Sequence, residues 1–182
     1  MSEVADRYGR IADRFTALLQ GCPPGAWTNA SPCEEWTAHG VAQHVVDTHR
    51  MVLTRLHGGD PTPPDSDEDL AASWQVESAA VRTALADPER AATPVDSFGS
   101  TQPFEELVGT LLCADTVIHA WDLARATGQD ERLDPAAVDA AQAFLEPNDA
   151  MLRRPGGFGP KVEPPADADA QTRLLCFVGR RP

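Results

Sequence analysis

Four stretches of this chain carry apolar residues at the 3.6-residue spacing of a helix, and no stretch shows strong strand alternation. That pattern constrains the fold more than any other feature. Val4, Tyr8, Ile11, Phe15 and Leu18 share one face of a first helix predicted over residues 2–20. Gly21, Pro23, Pro24 and Gly25 end it. A second helix is predicted over 37–57, with Thr37 as its N-cap and Val41, Val45, Thr48 and Val52 on its stripe. A third covers 67–86, after the loop HGGDPTPPDSDED, and aligns Leu70, Trp74, Glu77, Val81 and Leu85. A fourth covers 103–127, with Glu105 and Glu106 at its positive end and Gly128 as its stop. The connection 87–102 holds a short extended piece around TPVDSF.

An amphipathic helix must bury its stripe against another element, so four of them predict an all-α, antiparallel four-helix bundle. Residues 129–182 form a C-terminal extension with short helical additions. One runs from Pro135 to about Leu145, capped by Asp134 and stapled by Leu133 against Val138. Another covers 169–178 and stops at Gly179. Residues 147–168 read as Pro- and Gly-rich coil. The whole, 1–182, reads as one domain with enough chain for a real core.

The net charge of −13 and pI near 4.6 argue against a nucleic-acid backbone or an anionic membrane as partner. No apolar run approaches the roughly 18 residues of a membrane span, and the first helix reads as part of the fold, so a cytoplasmic protein is expected. The four cysteines contain no C-x-x-C pair. Reduced thiols are the expectation, with Cys22–Cys33 the one disulfide weighed against it.

The fourth helix poses the chemical question. Phe104, Val108, Leu111 and Ala126 lie within about 40° of one line at 100° per residue. Asp115, His119 and Asp122 sit on that same line. Burying an unpaired carboxylate costs on the order of several kcal/mol, so something must compensate. An Asp115–His119 ion pair in a partly wet groove is one answer. A metal ion is the other, because a carboxylate and an imidazole four apart on a helix can reach one ion. A third ligand would come from VAQHVVDTHR. His39, His44 and His49 fan about 140° apart and cannot all point at one ion. His39 lies in the first turn and is expected to be exposed, like His57 at the helix end. His44 and His49 border the apolar stripe on opposite sides, and periodicity does not choose between them.

Two segments, PCEEWTAHGVAQHVV (32–46) and DTVIHAWDLARATG (115–128), resemble signatures of the DinB-like metal-binding bundles. The closest branch is the actinobacterial one that includes the metal-binding domain of mycothiol-dependent maleylpyruvate isomerase. The tail FGPKVEPPADADAQTRLLCFVGRRP is similar to the end of many actinobacterial members. The resemblance implies a four-helix bundle holding one divalent metal, zinc first, with nickel or iron as alternatives. Carried over by motif, the ligands are His44, Asp115 and His119, where Asp115 replaces the isomerase's longer Glu. Gly40 stands where the family usually has an Asp that supports the helix-2 cap.

Three protein ligands leave open coordination positions, the arrangement of a catalytic site. Asp122, one turn beyond His119, is the catalytic candidate, as a general base or as the carboxylate that orients His119. The alternative for it is an ion pair with Arg125 or the first helix. Thr48 is a candidate neighbour of His44, and Arg125 a weak one for a substrate carboxylate. The resemblance thus implies a metal-dependent, mycothiol-type S-transferase or isomerase acting on a small electrophile or thiol, with a homodimer as the expected assembly. A non-catalytic metal-binding sensor or stress-response partner stands beside it, and a bundle with a decayed metal site is argued against by the Asp115–His119 pair.

Overall fold

In the computed structural model, residues 2–34, 36–59, 69–97, 99–153 and 157–182 are described. Helix α1 spans Glu3–Gln20, with the Ser2 hydroxyl accepting from the Ala5 amide at its start. Helix α2 spans Ala38–His57; the Thr37 side chain caps the Gly40 amide. Helix α3 spans Leu70–Ala86 behind an Asp69 cap, three residues after the start expected at 67, and 67–68 lie outside the described residues. Helix α4 spans Phe104–Thr127 and ends on Gly128 at φ 68°, the left-handed stop expected there.

These four helices close a ring. Helix α1 packs on α3 and α4, and α2 packs on the same two. The shared core includes Tyr8, Phe15, Leu18, Val45, Trp74, Phe104, Leu107, Leu112 and Ile118, all essentially without exposure. The molecule is predominantly α-helical, as a bundle requires. The extended piece around TPVDSF is one arm of a two-stranded hairpin, β1 Pro94–Ser97 against β2 Ser100–Pro103, with Val95 and Ser97 turned inward. Of the C-terminal additions, α5 spans Pro135–Leu145 behind Asp134, and α6 spans Ala170–Phe177 behind Asp169. Helix α5 packs on α4, and α6 packs on α5. All four cysteines are free thiols, so the Cys22–Cys33 pairing is not made. Among the described residues α4 alone is long and apolar enough to cross a membrane, and 78% of its most apolar window is buried within the protein.

Helix α4 departs from regularity over Val108–Leu112, where the turn widens to π geometry. The Gly109 carbonyl released there accepts a hydrogen bond from the Arg7 guanidinium at 3.2 Å. A Cβ on Gly109 would lie 2.9 Å from Val4 Cγ2, so α1 packs against α4 here at a residue with no side chain.

One histidine of α2 belongs to this core. His49 has no exposure; its Nδ1–H donates to the Val45 carbonyl at 2.7 Å, which leaves Nε2 to accept from the Tyr8 hydroxyl at 3.1 Å. The Trp74 ring packs on it edge-on at 4.7 Å. Burial disfavours the imidazolium and pushes the His49 pKa from 6.5 down to about 4. The unfolded chain therefore binds a proton between those two pH values that the folded chain refuses. Stability should fall as pH drops through that window, by roughly 3 kcal/mol in full. Denaturant titrations of the protein and of His49→Gln across pH 7 to 4 check this: the variant starts less stable and shows a flatter slope. Equal slopes would remove His49 as the cause.

Candidate metal centre

The loop between α1 and α2 builds one wall of the site. Asn29 donates to the Ala126 carbonyl of α4 at 2.9 Å and also accepts the Ala38 amide through its own carbonyl. An isolated bridge pairs Ala30 with Thr37, and the Ser31 amide donates to the Trp36 carbonyl. The loop is thereby held to α4 and presents two side chains inward. The Trp36 ring lies 4.7 Å from the His44 ring and 5.7 Å from the His119 ring, centroid to centroid. Cys33 sits behind it.

Helices α2 and α4 supply the other walls. The ligating atoms of His44, Asp115 and His119 all lie within 4.8 Å of one another. His44 Nε2 donates to Asp115 Oδ1 at 3.0 Å, and the Thr48 hydroxyl lies 3.4 Å from the same nitrogen. His119 Nε2 is 3.6 Å from that oxygen. Burial opposes a charged His44, but the Asp115 hydrogen bond and charge outweigh it and move its pKa upward. Burial likewise raises Asp115, and the charges and hydrogen bond of His119 and His44 overcome it and hold the carboxyl below its usual value. Asp122 is fully buried and accepts from His119 Nδ1 at 2.9 Å. It also accepts from Arg180 at both oxygens, at 3.0 and 2.7 Å. Burial acts to raise it, and the His119 and Arg180 hydrogen bonds bring it down.

These bonds test whether a cation fits. The Nδ1–H of His119 donates to Asp122, which turns Nε2 of the same ring toward the Asp115 carboxylate. That nitrogen, His44 Nε2 and an Asp115 oxygen converge on one small volume between α2 and α4. The second oxygen, Asp115 Oδ2, is buried and accepts no hydrogen bond among the described residues. Two ligands each about 2.0–2.2 Å from one ion at a tetrahedral angle lie roughly 3.3–3.5 Å apart, close to the spacings present. The residues fit a divalent metal. A second donor set, Cys33, His119 and Asp122, is equally close. There the Arg180 guanidinium donates to both the Asp122 carboxylate and the Cys33 sulfur, so a positive charge already fills the place a cation would need.

The other residues singled out by sequence lie elsewhere. His39 is exposed, its ring centroid 6.3 Å from that of Trp27, and His57 is exposed with the Arg90 guanidinium 2.7 Å from its Nε2. Arg125 pairs with Glu131 at 3.5 Å over the Trp121 ring, away from Asp122. The ion pair weighed for Asp122 exists, but its cation is Arg180, 58 residues on, and neither Arg125 nor a residue of α1. Sequence reasoning missed Arg180, Trp36 and Cys33. A carboxylate on a core stripe demanded some cation, and that demand was legible; no spacing rule tied it to an arginine beyond the last helix.

Residues 8–124 match the family model described as the mycothiol maleylpyruvate isomerase N-terminal domain. The chain is 33% identical, over 95% of both chains, to uncharacterized proteins of Mycobacterium tuberculosis strains CDC 1551 / Oshkosh and ATCC 25618 / H37Rv. No solved structure matches it.

Proposed function

Given that the chain belongs to the mycothiol maleylpyruvate isomerase N-terminal domain family, we propose that it binds one divalent metal, zinc first, through His44, Asp115 and His119, and uses it in a thiol-dependent S-transfer or isomerisation. The observation that carries this reading is the convergence of His44, Asp115 and His119, with His119 Nε2 3.6 Å from Asp115 Oδ1 and the other carboxylate oxygen unsatisfied. A bound divalent ion supplies positive charge that lowers the pKa of a thiol in an open coordination position. The chain's own residues do the rest. Asp122 holds the His119 ring in the tautomer that leaves Nε2 free. It is closed off and tied at both oxygens by Arg180, so its role here is positioning, in place of the general base considered from sequence. Trp36 packs against both imidazoles from the loop side. The His44 side chain keeps 34% exposure, which leaves that edge for a small thiol or electrophile to approach.

Elemental analysis of the purified protein followed by a mycothiol-dependent conjugation assay with an electrophile panel tests this. About one metal per chain and turnover that His44→Ala reduces to background are expected, with His49→Ala keeping its metal. Metal without turnover leaves the sensor role. Metal kept in His44→Ala but lost in His49→Ala would overturn the ligand set.

A further inference from the structure

Arg180 lies beyond the residues the family model matches, yet its guanidinium is inside the site. It is only 6% exposed. Its backbone reaches that position through a specific turn. Helix α6 ends at Phe177, and Gly179 then takes φ 85°, the left-handed region that suits glycine. A Cβ there would also lie 2.9 Å from the Pro160 carbonyl oxygen. The Arg180 amide donates back to the Leu175 carbonyl at 2.8 Å, and its Nη1 donates to the Val178 carbonyl at 3.1 Å. The remaining donors meet Asp122 in a two-pronged pair and Cys33 Sγ at 3.2 Å. An arginine fork suits a planar carboxylate in this way, and a lysine ammonium does not.

We propose that Arg180 is a positioning residue for the metal centre: by pinning Asp122 it fixes the His119 tautomer, and so couples docking of the C-terminal segment to metal binding. This rests on the metal-binding reading above. The linkage runs through two bonds. Arg180 donates to both oxygens and so orients the carboxylate, and Oδ2, which accepts from Arg180 Nη2, also accepts from His119 Nδ1. With Arg180 removed, Asp122 is free to rotate, and the proton is free to move to Nε2, where it blocks the ion. Coupling between two binding events is reciprocal, so an ion at His119 must tighten the tail by the same factor that the tail tightens the ion.

Zinc affinity measured by competition with a chromophoric chelator tests the coupling, with Arg180→Gln and Arg180→Lys. Arg180→Gln is expected to weaken zinc about 10- to 100-fold, the range for residues that orient a ligand. Arg180→Lys should fall between Arg180→Gln and the unchanged protein. A purely structural role would not move the His119 tautomer. Long-range proton–nitrogen NMR spectra of the metal-free protein should show the proton on Nδ1, and a mixed population in Arg180→Gln. Wild-type affinity and tautomer in a folded Arg180→Gln protein overturn the proposal. If that variant does not fold, hydrogen exchange on the wild type decides: zinc should slow the Gly179 and Arg180 amides, and unchanged exchange overturns the coupling. Should the wild type bind no zinc, the metal reading falls and the tautomer measurement judges the positioning role alone.

Discussion

Zinc added to the metal-free protein at pH 7.5 should raise its melting temperature by about 5–10 °C. Ligand that binds only the folded chain stabilises it by about 2.7 kcal/mol at one hundred times its dissociation constant. A chain of this size gains about 2–4 °C per kcal/mol. The ion would tie α2 to α4, because His44 stands on one and Asp115 with His119 on the other. His119→Ala should abolish the increment, since it removes the ring whose Nε2 Asp122 holds toward Asp115. His49→Ala should keep it on a lower baseline, because that ring is spent on Val45 and Tyr8 in the core. Protons compete for the same nitrogens. Burial works against a charged His44, but Asp115 shifts the ring's pKa upward on balance, so protonated His44 gains as pH falls toward 5.5 and the increment should shrink there. Asp115→Asn should shrink it at both pH values, since an amide brings no charge to the ion. An unchanged melting temperature with zinc at pH 7.5 returns Asp115, His44 and His119 to a plain ion-paired cluster.

Asp122→Ala should cost about 3–5 kcal/mol of stability in the metal-free protein. Asp122 has no exposed side-chain surface and Arg180 has 7%. Removing the carboxylate strands a buried guanidinium, and breaking one half of such a pair is far more damaging than replacing both halves. The double variant Asp122→Leu with Arg180→Met should therefore recover most of the loss, while zinc affinity stays low because nothing holds the His119 proton on Nδ1. Denaturant unfolding of the single and double variants, each without metal, provides the measurement. A cost below about 1 kcal/mol for Asp122→Ala would mean that water reaches the pair and screens it, as it does for ion pairs at the surface.

The helices and their ends were legible in the sequence because the signals are local. Thr37 and Asp134 each precede an apolar periodic run and cap a helix by accepting the amide three residues on, whereas the Asp69 and Asp169 caps fall inside the spans predicted as helix. Gly128 and Gly179 follow such runs, and both take positive φ. That Asp115 and His119 share a face follows from their spacing alone. Periodicity stops at the helix's own axis. It says nothing of how a helix is rotated toward its neighbours, so His44 and His49 stayed equivalent from spacing until packing turned one toward Asp115 and the other toward Tyr8 and Trp74. The widened turn at Val108–Leu112 has the same origin, as α4 fits Gly109 against Val4 and Arg7 of α1. The burial of Asp122 was foreseeable as a need for positive charge. Which of the chain's arginines meets it was decided only when the turn at Gly179 folded Arg180 back beneath α4, because a contact 58 residues apart leaves no periodic trace in the chain.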